Sequence, residues 1–182
     1  MIKSIFAGAV FCLTVAACAS TPPTERNQVD KVLVSTDAGP LHSSEDARVY
    51  AAEFKSARGV VVPILRDAYE EMGIAVKVAD PVTGQVGNNF FVKHGELGST
   101  PLSRYITCGN TQTGPAADNY KITLSVVSLV SASGTGSKVN TYVQARADNS
   151  AGSSGSVKCE SVGTLEAQLH RILLRRLGDR EL

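Results

Sequence analysis

The chain predicts an α+β fold, an antiparallel sheet of about five strands with two helices packed on one face. Three observations lead there. Residues 120–130 and 138–148 alternate apolar and polar side chains, the two-residue period of strands that bury one face and wet the other. Residues 58–72 and a C-terminal stretch ending at Leu177 instead repeat apolar residues at helical spacing. The order is strand, helix, several strands, helix, and it segregates the helices to one face of an antiparallel sheet.

Each element has its own warrant. Residues 48–54 read as a first strand through Val49, Tyr50 and Phe54. In the first helix Val61, Ile64, Leu65, Ala68 and Met72 share a face, and Gly73 is placed to stop it. Pro63 marks its first turn or kinks it. The run Asp67 to Glu71 holds three carboxylates beside the apolar stripe and reads as a solvated face. Ile74, Val76 and Val78 alternate as a short strand ended by Asp80-Pro81, with a turn at Thr83-Gly84. Val86 to Lys93, carrying Phe90 and Val92, is its expected hairpin partner, and Leu102 to Cys108 a further strand. Gly109 to Asn119 reads as a polar loop, and Ser131 to Ser137 as a flexible loop joining the two best strands. The last helix is expected to carry Val162, Leu165, Leu169, Ile172, Leu173 and Leu177 on one stripe. Glu160 and Glu166 then sit near its start and Arg171, Arg175 and Arg176 near its end, matching the helix dipole, and Gly178 stops it.

The N-terminus belongs to a different kind of segment. Lys3 precedes an apolar run, Ile5 to Val15, that ends at small residues, the layout of a secretory leader. It is shorter than the ~20 apolar residues of a spanning helix and meets Ser20, Thr21, Pro22 and Pro23 at once. Val15-Ala16-Ala17-Cys18 resembles the lipobox of bacterial lipoprotein precursors. That resemblance implies cleavage before Cys18 and acylation of its thiol, with palmitate or a similar chain. Two or more acyl chains give stable attachment where one does not. Ala19 follows the cysteine, where an aspartate would resemble an inner-membrane retention signal, so the resemblance implies the outer membrane with the domain in the periplasm. An ordinary secreted protein cleaved after Ala17 or Ala19 is the alternative.

The organisation expected is therefore a leader over 1–17, an anchored tether over 18–44 with a possible short strand at Val32 and Val34, a compact domain over 45–178 and a tail over 179–182. Asp37-Ala38-Gly39-Pro40 breaks the possible strand. Removing the leader takes Lys3 with it and leaves 17 basic against 17 acidic residues. A neutral chain does not suit nucleic acid, whose affinity comes largely from neutralised phosphates.

Cys108 and Cys159 are the cysteines that remain once Cys12 goes with the leader and Cys18 with the anchor. In an oxidising compartment they pair most simply as one disulfide, closing a loop of about fifty residues worth ~4 kcal/mol in the chain-entropy model. A redox or metal pair is the alternative, but the spacing is not C-x-x-C and no histidine lies near in sequence. His42, His94 and His170 are scattered and read as solvent-facing, so no metal site is expected. No G-x-S-x-G, H-E-x-x-H or phosphate-loop pattern occurs, and neither an enzyme nor a cofactor is expected.

Two patches remain for a partner. Asn110, Gln112 and Asp118 lie in the loop after Cys108, and Arg171 and Arg175 share a face of the last helix. The loop and the stretch from Cys159 to Glu166 show a spacing similar to uncharacterised secreted bacterial lipoproteins. The element order resembles the helix-grip and related arrangements of periplasmic assembly lipoproteins. The function expected is a non-enzymatic binding or envelope-assembly module facing an envelope protein or component. A periplasmic carrier of a small apolar ligand, held between sheet and helix, is the alternative.

Overall fold

The computed structural model describes residues 49–148 and 155–178, together with the backbone of 35–36 and 39–40. The leader, Cys18, Val32, Val34, His42 and residues 179–182 lie outside the described residues. Ser35–Thr36 pairs antiparallel with Gly39–Pro40.

From Val49 onward the elements are β1 (Val49–Phe54), α1 (Arg58–Glu71), β2 (Val78–Asp80), β3 (Gln85–His94), β4 (Ile106–Thr107) and α2 (Ala116–Asn119). β5 (Lys121–Ser133), β6 (Gly136–Asp148), β7 (Ser156–Ser161) and α3 (Thr164–Leu177) complete the chain. The seven strands form one antiparallel sheet in the order β2-β3-β5-β6-β7-β4, and β1 pairs with β6 beside β7. The α+β expectation holds, with seven strands rather than about five.

The central hairpin follows from its pattern. Ile122, Leu124, Val126, Ser128 and Val130 of β5 are buried, as are Ser137, Val139, Thr141, Val143, Ala145 and Ala147 of β6. The intervening positions point to the other face. The expected flexible loop over 131–137 is absent. Ladder pairing continues to Ser133 and Gly136, so a two-residue turn closes the hairpin. Gly134 takes φ 55° at the first turn position, as a Gly-X turn of type II′ requires.

Helix α1 ends in a Schellman motif. Gly73 adopts φ 75°, its N–H donates to the Glu70 carbonyl and that of Ile74 to the Tyr69 carbonyl. The motif claims Ile74, which is buried but not in a strand, so the expected strand from 74 shrinks to Val78–Asp80. Residues 102–108 are likewise not one strand. Leu102–Arg104 forms a 3₁₀ turn that buries Leu102, and only Ile106–Thr107 pairs. The stretch 109–119 is not a plain loop. Asn110–Thr111 pairs with Gly114–Pro115, and α2 follows with Ala116 and Ala117 buried.

Strand β3 is interrupted by an irregularity in its pairing with β5. Leu124 pairs with Phe91 but Val126 with Asn88, so Asn89 and Phe90 together oppose Ser125 in a β-bulge. Asn88 is buried and its amide donates to the Ala75 carbonyl at 2.7 Å, while its Oδ1 accepts the Phe90 N–H at 3.1 Å. This side chain stabilises the bulge, turns Phe91 toward the core and leaves Phe90 and Val92 on the opposite face. β7 is a strand beyond those expected, and it takes Glu160 and Ser161 out of the expected helix. α3 begins at Thr164, and Val162 is exposed ahead of it.

Helices α1 and α3 lie side by side on the Ile122–Val130 face. Val61, Leu65, Ala68 and Tyr69 of α1 and Leu165, Leu169 and Leu173 of α3 join the strand residues in one core cluster. The other face of the sheet carries no helix among the described residues.

Candidate functional site

The covered face contains a line of polar groups inside an apolar core. Tyr69 of α1 bonds Ser128 of β5 at 2.8 Å, and Ser128 bonds Thr141 of β6 at 2.8 Å. Thr141 in turn meets Nε2 of His170 on α3 at 3.2 Å. Four elements are thus tied by three hydrogen bonds between side chains that are all buried. Tyr50 and Phe54 of β1 pack edge-on against the imidazole, with centroids at 4.6 Å and 5.9 Å.

The expectation of a solvent-facing His170 is therefore wrong. The residue is 3% exposed, because it falls inside the Leu165, Leu169, Leu173 stripe one turn after Glu166. Its Nδ1 is buried and has no hydrogen-bond partner among the described residues. Burial penalises the charged imidazolium and lowers the pKa to about 4. Burial likewise raises that of the Tyr69 phenol well above its ordinary value. Both groups are neutral near pH 7, which is what an apolar core tolerates.

A second buried contact fixes the start of α3. Ser161 donates to Oε1 of Glu166 at 2.6 Å and accepts the Gly163 N–H at 3.1 Å. Glu166 is 0% exposed and sits in the first turn, where a carboxylate suits the helix dipole. Tyr105 donates to Oε1 of Gln168 at 3.2 Å. Next to these contacts Cys108 and Cys159 form a disulfide with a Cα separation of 4.3 Å. It clamps β7 to the end of β4 where Glu160 pairs with Thr107.

The expected partner residues divide. Asn110 and Gln112 are exposed on the small hairpin after Cys108. Asp118 is half-buried and structural, its Oδ1 accepting the Ser103 N–H at 2.8 Å. Arg171 is exposed, but Arg175 is engaged. Arg175 and Arg176 donate to the two oxygens of Glu71 at 2.6 Å and 2.7 Å, and Arg176 also approaches Asp67 at 3.7 Å. The Asp67–Glu71 run is thus a helix-to-helix pairing face rather than a purely solvated one. The guanidinium of Arg176, then that of Arg175, holds the Glu71 carboxyl below its usual pKa.

The open face supplies groups that the sequence reading did not single out for binding. Phe90 is 64% and Val92 40% exposed there. Val92 pairs across to Thr123, Thr123 to Arg146 and Arg146 to Lys158, and Lys121 and His94 form the next row. The bulge in the β3–β5 register places Phe90 there, whereas Lys121 and Arg146 follow from the strand alternation. Among the described residues no cluster of metal-ligating side chains occurs, and no helix is long and apolar enough to cross a membrane.

No family model and no curated protein matches the chain. Among solved structures it is similar to a DUF4468 family protein from Bacteroides ovatus, at 9% identity and a TM-score of 0.35. The match covers 63% of this chain and 62% of that one. A likeness of this size decides neither partner nor activity.

Proposed function

We propose that this chain is a lipoprotein anchored through Cys18 to the outer membrane, its domain a non-enzymatic binding or assembly module in the periplasm. The observation that carries the module reading is the asymmetry of the sheet. The polar groups of the covered face bond one another across α1, β5, β6 and α3, whereas the open face presents Phe90, Val92 and three basic side chains to solvent. The lipobox resemblance supports the anchor, and the Cys108–Cys159 bond suits an oxidising compartment. The working surface in this reading is the open face, with Asn110 and Gln112 as a separate exposed hairpin.

The carrier alternative gains no support from the layer it would use. Leu65, Ala68 and Tyr69 there belong to the same buried core cluster as Leu124, Val126 and Val139.

Metabolic palmitate labelling tests the anchor. Label is expected on the parent chain and absent from Cys18→Ser, which should be secreted folded and free of membrane. Label persisting in that variant, or missing from the parent, overturns the assignment.

A further inference from the structure

We infer that the open face of the sheet lies on an anionic lipid surface. The inference rests on the anchored reading above and names the partner class of its working face. Lys121 of β5, Arg146 of β6 and Lys158 of β7 stand on adjacent strands, all exposed and all pointing away from the helices. Among the described residues neither Lys121 nor Arg146 makes an ion pair, although Asp148 sits directly across from Lys121. The helix side is different, since Arg175 and Arg176 there are matched by Glu71. Beside the basic rows the bulge thrusts out Phe90, with Val92 next to it.

Basic side chains flanking an exposed aromatic are the groups that headgroup phosphates and the acyl boundary take up together. Each Lys or Arg close to an anionic leaflet contributes ~1 kcal/mol. The face is an open sheet surface, which suits a planar partner, and an acidic protein is the competing one. In the anchored reading Cys18 lies only roughly 30 residues before Val49 in sequence, so attachment raises the effective concentration of the bilayer and a weak surface affinity suffices.

The chain contains no tryptophan, so Phe90→Trp creates a single fluorescent reporter on this face. The test uses the full mature chain with Cys18→Ser, which carries no lipid, so its outcome is independent of palmitate labelling. Vesicles of phosphatidylcholine with and without phosphatidylglycerol are titrated in. The expected result is a blue shift with the anionic vesicles alone, reversed by salt. A reporter at the helix-side position Val60→Trp should stay unchanged. Replacing both cations, Lys121→Gln with Arg146→Gln, should weaken binding roughly thirtyfold. The variants should keep the parent's thermal transition. No shift at position 90, equal shifts with both vesicle types, or a shift at position 60 as large as at 90 would overturn the inference. So would capture of an acidic protein by a chain that ignores the vesicles.

Discussion

The two faces of the sheet are built from the same strands yet treat polar groups in opposite ways. On the covered face, polar side chains sit at positions that the alternation reserves for the core, and hydrogen bonds tie most of them to one another. On the open face Lys121, Arg146 and Lys158 remain exposed. Buried polar groups are costly to strand and gain from fixed partners, whereas exposed ones contribute little to stability and stay available. The comparison teaches that substitutions on the covered face should be read in stability and those on the open face in binding.

The largest expected effect comes from breaking the clamp beside the covered face. Cys108→Ser with Cys159→Ser should cost ~4 kcal/mol in urea unfolding, since the bond closes a loop with a sequence separation of 51. A double variant as stable as the parent would show that the bond is not a staple.

Acid should attack the same face. The His170 imidazole protonates at about 4 when folded against 6.5 when free. Between those values the unfolded chain binds the extra proton, so stability should fall as pH drops from 6.5 toward 4, by about 3 kcal/mol in all. Unfolding free energies measured across that window should lose most of this slope in His170→Phe. An unchanged slope would assign the acid sensitivity elsewhere.

Thr141→Val keeps the shape but removes the group that joins Ser128 to His170. It should cost about 1–3 kcal/mol, because buried polar atoms lose a partner. Smaller still is Glu71→Gln, which breaks exposed pairs with Arg175 and Arg176. Its effect should fade in about 1 M salt, where such pairs are screened. Phe90→Ser on the open face should leave stability within about 0.5 kcal/mol of the parent.

The covered face was partly legible in the sequence and the open face hardly at all. Strands β5 and β6, helix α1 and the cysteine pair announce themselves because period and spacing are local properties. Thr141 could be placed on the buried side by its phase alone. His170 lies between Leu169 and Leu173 in a clean apolar stripe, yet its burial depends on β1 packing from more than a hundred positions away. The facing of Phe90 depends on Asn88 reaching Ala75, a contact that alternation within β3 cannot show. β7 was hidden because the Gly/Ser stretch before it reads as loop, and Ser161 and Glu160 read as the approach to a helix.

The most direct test of the central claim is to place a photo-crosslinking residue in the anchored protein within the intact envelope, at position 90 on the open face or at position 60 on α1. Both side chains are more than half exposed, so accessibility alone does not separate them. Adducts to an envelope component at position 90, with few or none at position 60, are what the two-faced account predicts. Equal labelling at both positions, or adducts confined to position 60, would contradict it.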